Sequence, residues 1–295
     1  IRNGGVVAWE GDGIDATDAD HIIIRDVTSE YNNGNGIIAD DSALFNKCTA
    51  SRNGLSGIVT GIGSLIKNCS SSDNVAHGYQ TGSDSSVMAS AAFNNITDGY
   101  NLGNSNVIVS CQASDNEVNG FNLGNGSYAG KCVAYDNGLN PPNGTIAIGN
   151  PSVLAGGFRL NNDCYVTDCI SSLNDSSGFW VTGERNVLTR NKAHENNFYG
   201  FLVQGAHTLI EHNNSTDNDL GGYAITVADC FVASNTSAGD EDTEQGVLNG
   251  SDLDNVFGPF FINAGSTFGP VVNITSAGDI TGVTNADHPH ANFTY

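Results

Sequence analysis

The sequence predicts an all-β fold, a solenoid of about 10–11 stacked coils of 21–24 residues closed by a C-terminal cap. Three observations carry that prediction. A glycine followed by an apolar or aromatic residue recurs at Gly13, Gly36, Gly57, Gly78, Gly99, Gly120, Gly157, Gly178, Gly200, Gly222 and Gly246, and every step but one is 21–24 residues. Asn stands four residues before most of these glycines, at Asn32, Asn53, Asn74, Asn95, Asn116, Asn174, Asn196 and Asn218. The composition, with 37 glycines and only 14% charged residues, suits short strands and turns rather than long helices.

Each position of the unit has its own logic. The residue after the glycine (Ile37, Tyr79, Phe121, Phe179) opens a strand. Five residues before the Asn lies a slot that holds Cys48, Cys69, Ser90, Cys111, Cys132 and Cys169, then Asn191, Asn213 and Asn235. Three residues before that slot is an apolar position (Phe45, Ile66, Val87, Ile108), and two after it a small one (Ala50, Ser71, Ala92, Ala113). Strands of successive coils pair about 4.8 Å apart, so like slots stack on like slots and their residue types are restricted. A buried thiol packs in such a slot as a small apolar group, and Cys164 and Cys230 fall at strand positions that read as core. The seven cysteines are an odd number, which rules out a fully paired disulfide framework within one chain, and reduced thiols are expected.

The one long step, 37 residues, places an inserted loop at 138–156, rich in Pro, Gly and Asn. After Gly246 the register dissolves, so the β-helix is assigned to 1–250 and a cap to 251–295, where Phe257, Phe260, Phe261 and Phe268 offer area to cover the last coil.

The segment DHIIIRDVTSEYNNGNGI (20–37) and the Asn191, Asn213, Asn235 series resemble the bacterial right-handed parallel β-helix proteins, the pectate-lyase-like superfold, over about residues 1–250. The resemblance implies a right-handed coil with an internal asparagine ladder. It also implies chemistry on acidic polysaccharides: uronate lyases with an Arg or Lys base and calcium held by Asp or Glu, related C5-epimerases, and hydrolases with clustered aspartates. Two motifs of that group are absent, the paired arginines around a proline and a Tyr-Gly-Asp-Pro-His signature in the repeat.

Slot-by-slot comparison of the outward positions selects one region. Asp168, Arg190 and His212 stand one residue before the ladder slot on successive coils, with Lys192, His194, Glu195 and Glu211 beside them. Arg159 and Arg185 lie nearby, and Trp180, next to an inward Phe179, is expected to point outward as a sugar-stacking surface. The expectation is Arg190 or Lys192 as base and His212 or His194 as acid, with Trp180, Arg159, Arg185 and Asp168 binding substrate. Asp12, Asp15, Asp18 and Asp20, with Asp40 and Asp41 on the next coil, are candidate calcium ligands, although EF-hand spacing is missing. Asp287, His288 and His290 in the tail form a weak zinc pattern.

The net charge of −22 argues against nucleic acid or an anionic membrane as partner, since both need a basic footprint. No apolar stretch of about 18 residues exists, so no transmembrane segment is expected. The chain opens on Ile1 without a signal peptide, as a processed or excerpted chain does. N-x-S/T triplets at Asn68, Asn95, Asn125, Asn143, Asn174, Asn213, Asn214, Asn235, Asn249, Asn273 and Asn292 are potential glycosylation sites. The functional expectation is an extracellular or cell-surface rod, non-catalytic, that binds glycan or self-assembles end to end into a fibre or coat. The alternatives are a calcium-assisted polyuronate lyase or epimerase and a phage tailspike-like glycan-binding protein.

Overall fold

The structure, a computed structural model, describes residues 1–138 and 156–240, with strand segments 256–257, 260–262, 266–268, 271–276, 279–281 and 292–294. The inserted loop (139–155), the acidic run 241–244 and the tail histidines 288 and 290 lie outside the described residues. Among the described residues every regular element is a strand.

Each coil contributes three short strands, and these form three parallel stacks. In one coil they are Ile37–Ala39, Leu44–Asn46 and Thr49–Ser51, which pair with Ile58–Thr60, Leu65–Lys67 and Ser70–Ser72 of the next coil. The first stack follows the coil glycine and runs from Ile14–Ala16 to Gly221–Ile225, with Phe260–Ile262 paired beyond it. Thr267–Phe268 and Asn292–Thr294 extend the second and third stacks, so parallel pairing continues past residue 250. It gives way to antiparallel pairing at 271–276 against 279–281.

Burial alternates with period two along strands such as Ile37–Ala39, Ile58–Thr60 and Tyr100–Leu102, the signature of one face turned to a core. Inside, Tyr79, Tyr100, Phe121, Phe158, Phe179, Phe201 and Tyr223 form one column, each ring 4.7–4.9 Å from the next and nearly parallel to it. The repeated glycine before this column is enforced by crowding. A Cβ on Gly120 would meet the Gly157 carbonyl at 2.8 Å and the Asn137 amide at 3.0 Å.

The repeated Asn explains the turn. Asn95 donates from Nδ2 to Asn116 Oδ1 at 2.9 Å, Asn116 to Asn137 at 2.8 Å, and the series continues through Asn174 and Asn196 to Asn218. Each Oδ1 also accepts the backbone N–H of the preceding rung, so one side chain satisfies buried groups on two coils. Among the described residues the last rung is Asp240, which accepts from Asn218 N at 2.9 Å and Nδ2 at 2.7 Å.

In the cysteine slot, Asn191 donates to Asn213 and Asn213 to Asn235, both at 3.1 Å, and Cys169 N–H donates to Asn191 Oδ1 at 3.0 Å. The slot's cysteines, with Cys164 and Cys230, are buried and free. Burial raises the Cys132 and Cys164 thiols, Cys164 to about 11. Cys48 is lowered to about 7 by the hydrogen bond from Cys69. Asn95, Asn174, Asn213 and Asn235 are buried in the two ladders and cannot carry glycan in the folded chain, whereas Asn68, Asn125 and Asn214 are exposed.

Candidate functional site

The outward file of the first stack changes character along the axis. Gln80, Asn101, Asn122, Arg159, Trp180, Leu202 and Ala224 occupy consecutive rungs in register. Polar amides therefore lead to a cation, then an indole, then an apolar cluster, at about 4.8 Å per step.

Trp180 points outward, as its place beside Phe179 requires, but it is covered rather than exposed. It is 9% accessible and packs with Leu202, Ala224 and Tyr199 in an apolar cluster outside the solenoid core. Its indole N–H donates to Gln204 Oε1 at 2.9 Å. The Arg159 guanidinium lies over the indole ring, 5.3 Å from its centroid, an orientation that suits a cation on a π face. Arg159 Nε is buried and has no hydrogen-bond partner among the described residues.

Beside the amides, on the turn that precedes the coil glycine, stands a pair that the sequence did not single out. Asp98 is buried, and its Oδ1 accepts from Asn119 N at 3.0 Å and Nδ2 at 2.8 Å. Its Oδ2 lies 3.6 Å from His77 Nδ1 and receives Asn122 Nδ2 at 3.4 Å. Asn101 Oδ1 accepts from Asn122, which turns Asn101 Nδ2 toward His77 Nε2 at 3.2 Å. Nε2 is then the acceptor and Nδ1 carries the proton, facing Thr97 Oγ1 at 2.8 Å and Asp98. Burial lowers the His77 pKa against the opposing pull of Asp98, so the imidazole is neutral at pH 7. The signal for this pair was available: His77, Asp98 and Asn119 share the slot before the glycine, on successive coils.

The residues expected to form a site between 159 and 212 are divided among the faces of the coil. Arg159 and Trp180 are on the first stack. Arg185 sits at the corner before the second stack, bidentate to Asp163 at 2.7 and 2.8 Å. Asp168, Arg190 and His212 occupy the corner after the second stack, each left-handed with φ of 55–56°. Lys192 and His194 are on the third stack. Arg159 and Trp180 on the first stack therefore face a different direction from Lys192 and His194 on the third.

Their contacts also differ from the expected roles. Arg190 Nε donates to Asp168 Oδ1 at 2.9 Å, and this carboxylate holds the arginine's pKa up, the opposite of what a base needs. Arg190 in turn holds Asp168 below the usual carboxylate range. Both pairs are on the surface, where water screens such bridges and they add little to stability. His194 lies between Glu195 at 3.3 Å and Asp217 at 3.6 Å, and His212 is 4.0 Å from Glu211. Lys192 is exposed between Ile170 and Asn214.

The calcium candidates do not assemble. Asp12 accepts from Asn35 Nδ2 at 3.0 Å, Asp41 from the Ile62 N–H at 2.7 Å, and Asp15 from Thr17 Oγ1 at 2.8 Å, a bond within its own turn that, with the Thr17 N–H, lowers its pKa. Asp18, Asp20 and Asp40 are exposed on the turn that follows the first stack. Among the described residues no three His, Cys, Asp or Glu side chains are placed to hold a metal ion. No described helix is long and apolar enough to cross a membrane.

Residues 12–154 match the family model described as "Right handed beta helix region". With the parallel stacks this identifies the solenoid as a right-handed parallel β-helix. Among solved structures the chain is similar to the pectate lyase Pel9A, at 16% identity and a TM-score of 0.55, covering 89% of this chain and 69% of that one. It is also similar to the A-module of the Azotobacter vinelandii mannuronan C-5 epimerase AlgE6, at 14% identity and a TM-score of 0.63, covering 90% and 80%. Comparison with curated protein sequences finds no match.

Proposed function

We propose that this right-handed β-helix binds an acidic polysaccharide laid along the outward file of its first stack, with Arg159 receiving a sugar carboxylate. The observation that carries the reading is Arg159 itself. Its guanidinium is seated on Trp180, and among the described residues its buried Nε has no acceptor and none of the ion pairs includes it. A planar guanidinium without an anion among the described residues is matched in shape and charge by a carboxylate ligand. Asn101 and Asn122 bring amide groups for hydroxyls of neighbouring sugars. The likeness to a pectate lyase and a mannuronan epimerase supports a polyuronate in particular.

Calorimetric titration with oligomannuronate, oligogalacturonate and a neutral glucan tests the reading. Binding to an acidic oligomer that weakens with salt, and weakens at least tenfold in Arg159→Gln, is the expected result. Failure of every acidic oligomer to bind, or equal binding by Arg159→Gln, overturns it.

A second reading, proton transfer on the bound sugar, is favoured by the His77–Asp98 pair. A neutral imidazole oriented by a buried carboxylate is a competent base for a proton beside a carboxylate group once the sugar displaces the Asn101 amide from Nε2. Incubation with polyuronate in deuterated solvent decides: label at C5 or an unsaturated product, lost in His77→Gln, supports catalysis, and neither signal leaves binding alone.

A further inference from the structure

We propose that two copies of this chain pair side by side and antiparallel through the outward face of the second stack. One outward file of that face is apolar almost throughout, including Leu44, Leu65, Val107, Tyr165 and Leu209, with Ser86 as the interruption. Several of these are well exposed: Ile23 by 53%, Tyr165 by 39% and Val107 by 36%. The parallel file from Arg25 to Ala233 on the same face carries a single carboxylate, Glu211, although the chain has 32 acidic residues. An apolar band about ten coils long, kept nearly free of acids in so acidic a protein, reads as a contact surface.

Two features identify the occupant. The Tyr128 and Tyr165 rings stack on each other along the axis, 5.7 Å apart and 15° from parallel, so each has one face taken by the other and turns an edge outward. Sugar rings stack on aromatic faces, which makes this band a poor glycan platform and a good protein contact. The band is also self-complementary. Counting rungs from Ile23, Lys67 lies on the third and Glu211 on the ninth, with Tyr128 and Gly130 midway on the sixth.

A twofold axis through the sixth rung sets Lys67 of each copy against Glu211 of the other, and Leu65 against Leu209. Tyr128 then meets its own counterpart. Gly130 gives the space: a Cβ there would lie 2.6 Å from Tyr128 Oη, so the hydroxyl edge of the ring leans over the glycine. Nine shared rungs span about 40 Å, and a band about 12 Å wide buries about 1,000 Å² in total, the lower end for a specific interface. The dimer is therefore a weak one.

Sedimentation velocity up to several hundred micromolar tests the proposal on the chain as it stands. A reversible dimer is expected, weakened about tenfold by Lys67→Glu or Glu211→Lys alone and restored by the two together. Independently, Tyr128→Cys is expected to form a disulfide dimer with oxidised glutathione, whereas Leu44→Cys, whose counterpart is on the tenth rung, is not. A strict monomer at all concentrations, a double charge swap that fails to restore pairing, or equal cross-linking at both cysteines overturns it.

Discussion

Replacing Asn116 tests whether the turn ladder is a structural requirement or a by-product of a repetitive sequence. In Asn116→Ala, Asn95 loses the acceptor of its backbone N–H (3.1 Å) and of its side-chain amide (2.9 Å), while Asn137 Oδ1 and the Ala92 carbonyl lose a donor. Two buried donors left without partners cost about 3 kcal/mol together. Asn116→Asp differs in kind. One carboxylate oxygen still accepts from Asn95, but the other is set against Asn137 Oδ1 and the Ala92 carbonyl, so the group must keep a proton. Its folded pKa is thereby raised above the unfolded value of about 3.9. The sign follows: the ladder's contribution is intact below about pH 4 and is lost as pH rises through the raised value. A carboxyl held protonated at pH 7 costs about 4 kcal/mol, from about 1.4 kcal/mol for each of about three pH units. Urea unfolding followed by far-ultraviolet circular dichroism at pH 4 and pH 7, with the parent subtracted, reads both effects. A pH-independent Asn116→Asp, or an Asn116→Ala within 1 kcal/mol of the parent, refutes the ladder argument.

The remaining predictions use the same unfolding and labelling assays. Phe121, fully buried between Tyr100 and Phe158, is expected to cost 3–5 kcal/mol as Ala but to tolerate Tyr, because Tyr100 already directs its hydroxyl to a backbone carbonyl in that column. Burial raises the pKa of Asp240, partly offset by hydrogen bonds from Ser237, Asn218 and Ser215, so the end coil is more stable in acid and loses that stability as pH rises through the raised value. Asp240→Asn is expected to flatten this dependence, measured as the pH profile of exchange protection at the Asn218 amide. A thiol reagent at neutral pH is expected to label almost none of the seven cysteines in the native chain and all of them in denaturant, since even Cys48, lowered to about 7, is 1% exposed. Rapid native labelling contradicts the buried slot.

What the sequence disclosed divides along the direction a side chain faces. Inward slots are stacked on their own copies, so Gly120, Asn116 and Phe121 are confined to one or two residue types and show up as a period. The Asn position four before the glycine was visible, but its continuation into Asp240 was not, because a single Asp at the end of a run of Asn looks like a departure from the pattern. Outward slots carry no such restriction. Residues near one another in sequence, such as Arg185, Arg190 and Lys192, turn to different corners and faces, whereas His77 and Asp98, or Asn101 and Asn122, are neighbours because 21 residues separate them. A site in a solenoid has to be sought down a column, and grouping by sequence proximity mixed columns from different faces and corners. Trp180 was given its direction correctly, but its cover by Tyr199, Leu202 and Arg159 depends on contacts between coils that no local pattern encodes.

The two tryptophans give the most direct test of glycan binding on the first stack. Trp180 lies in the proposed track and Trp9, 63% exposed, lies at the first coil, so each indole N–H reports one place in a two-dimensional nitrogen–proton spectrum. Titration with an acidic oligosaccharide is expected to shift the Trp180 indole and the Asn101 and Asn122 side-chain amides, leaving Trp9 and the Asn46 amide unmoved. Shifts confined to Trp9, or spread over all three stacks, would contradict a binding face on the first stack.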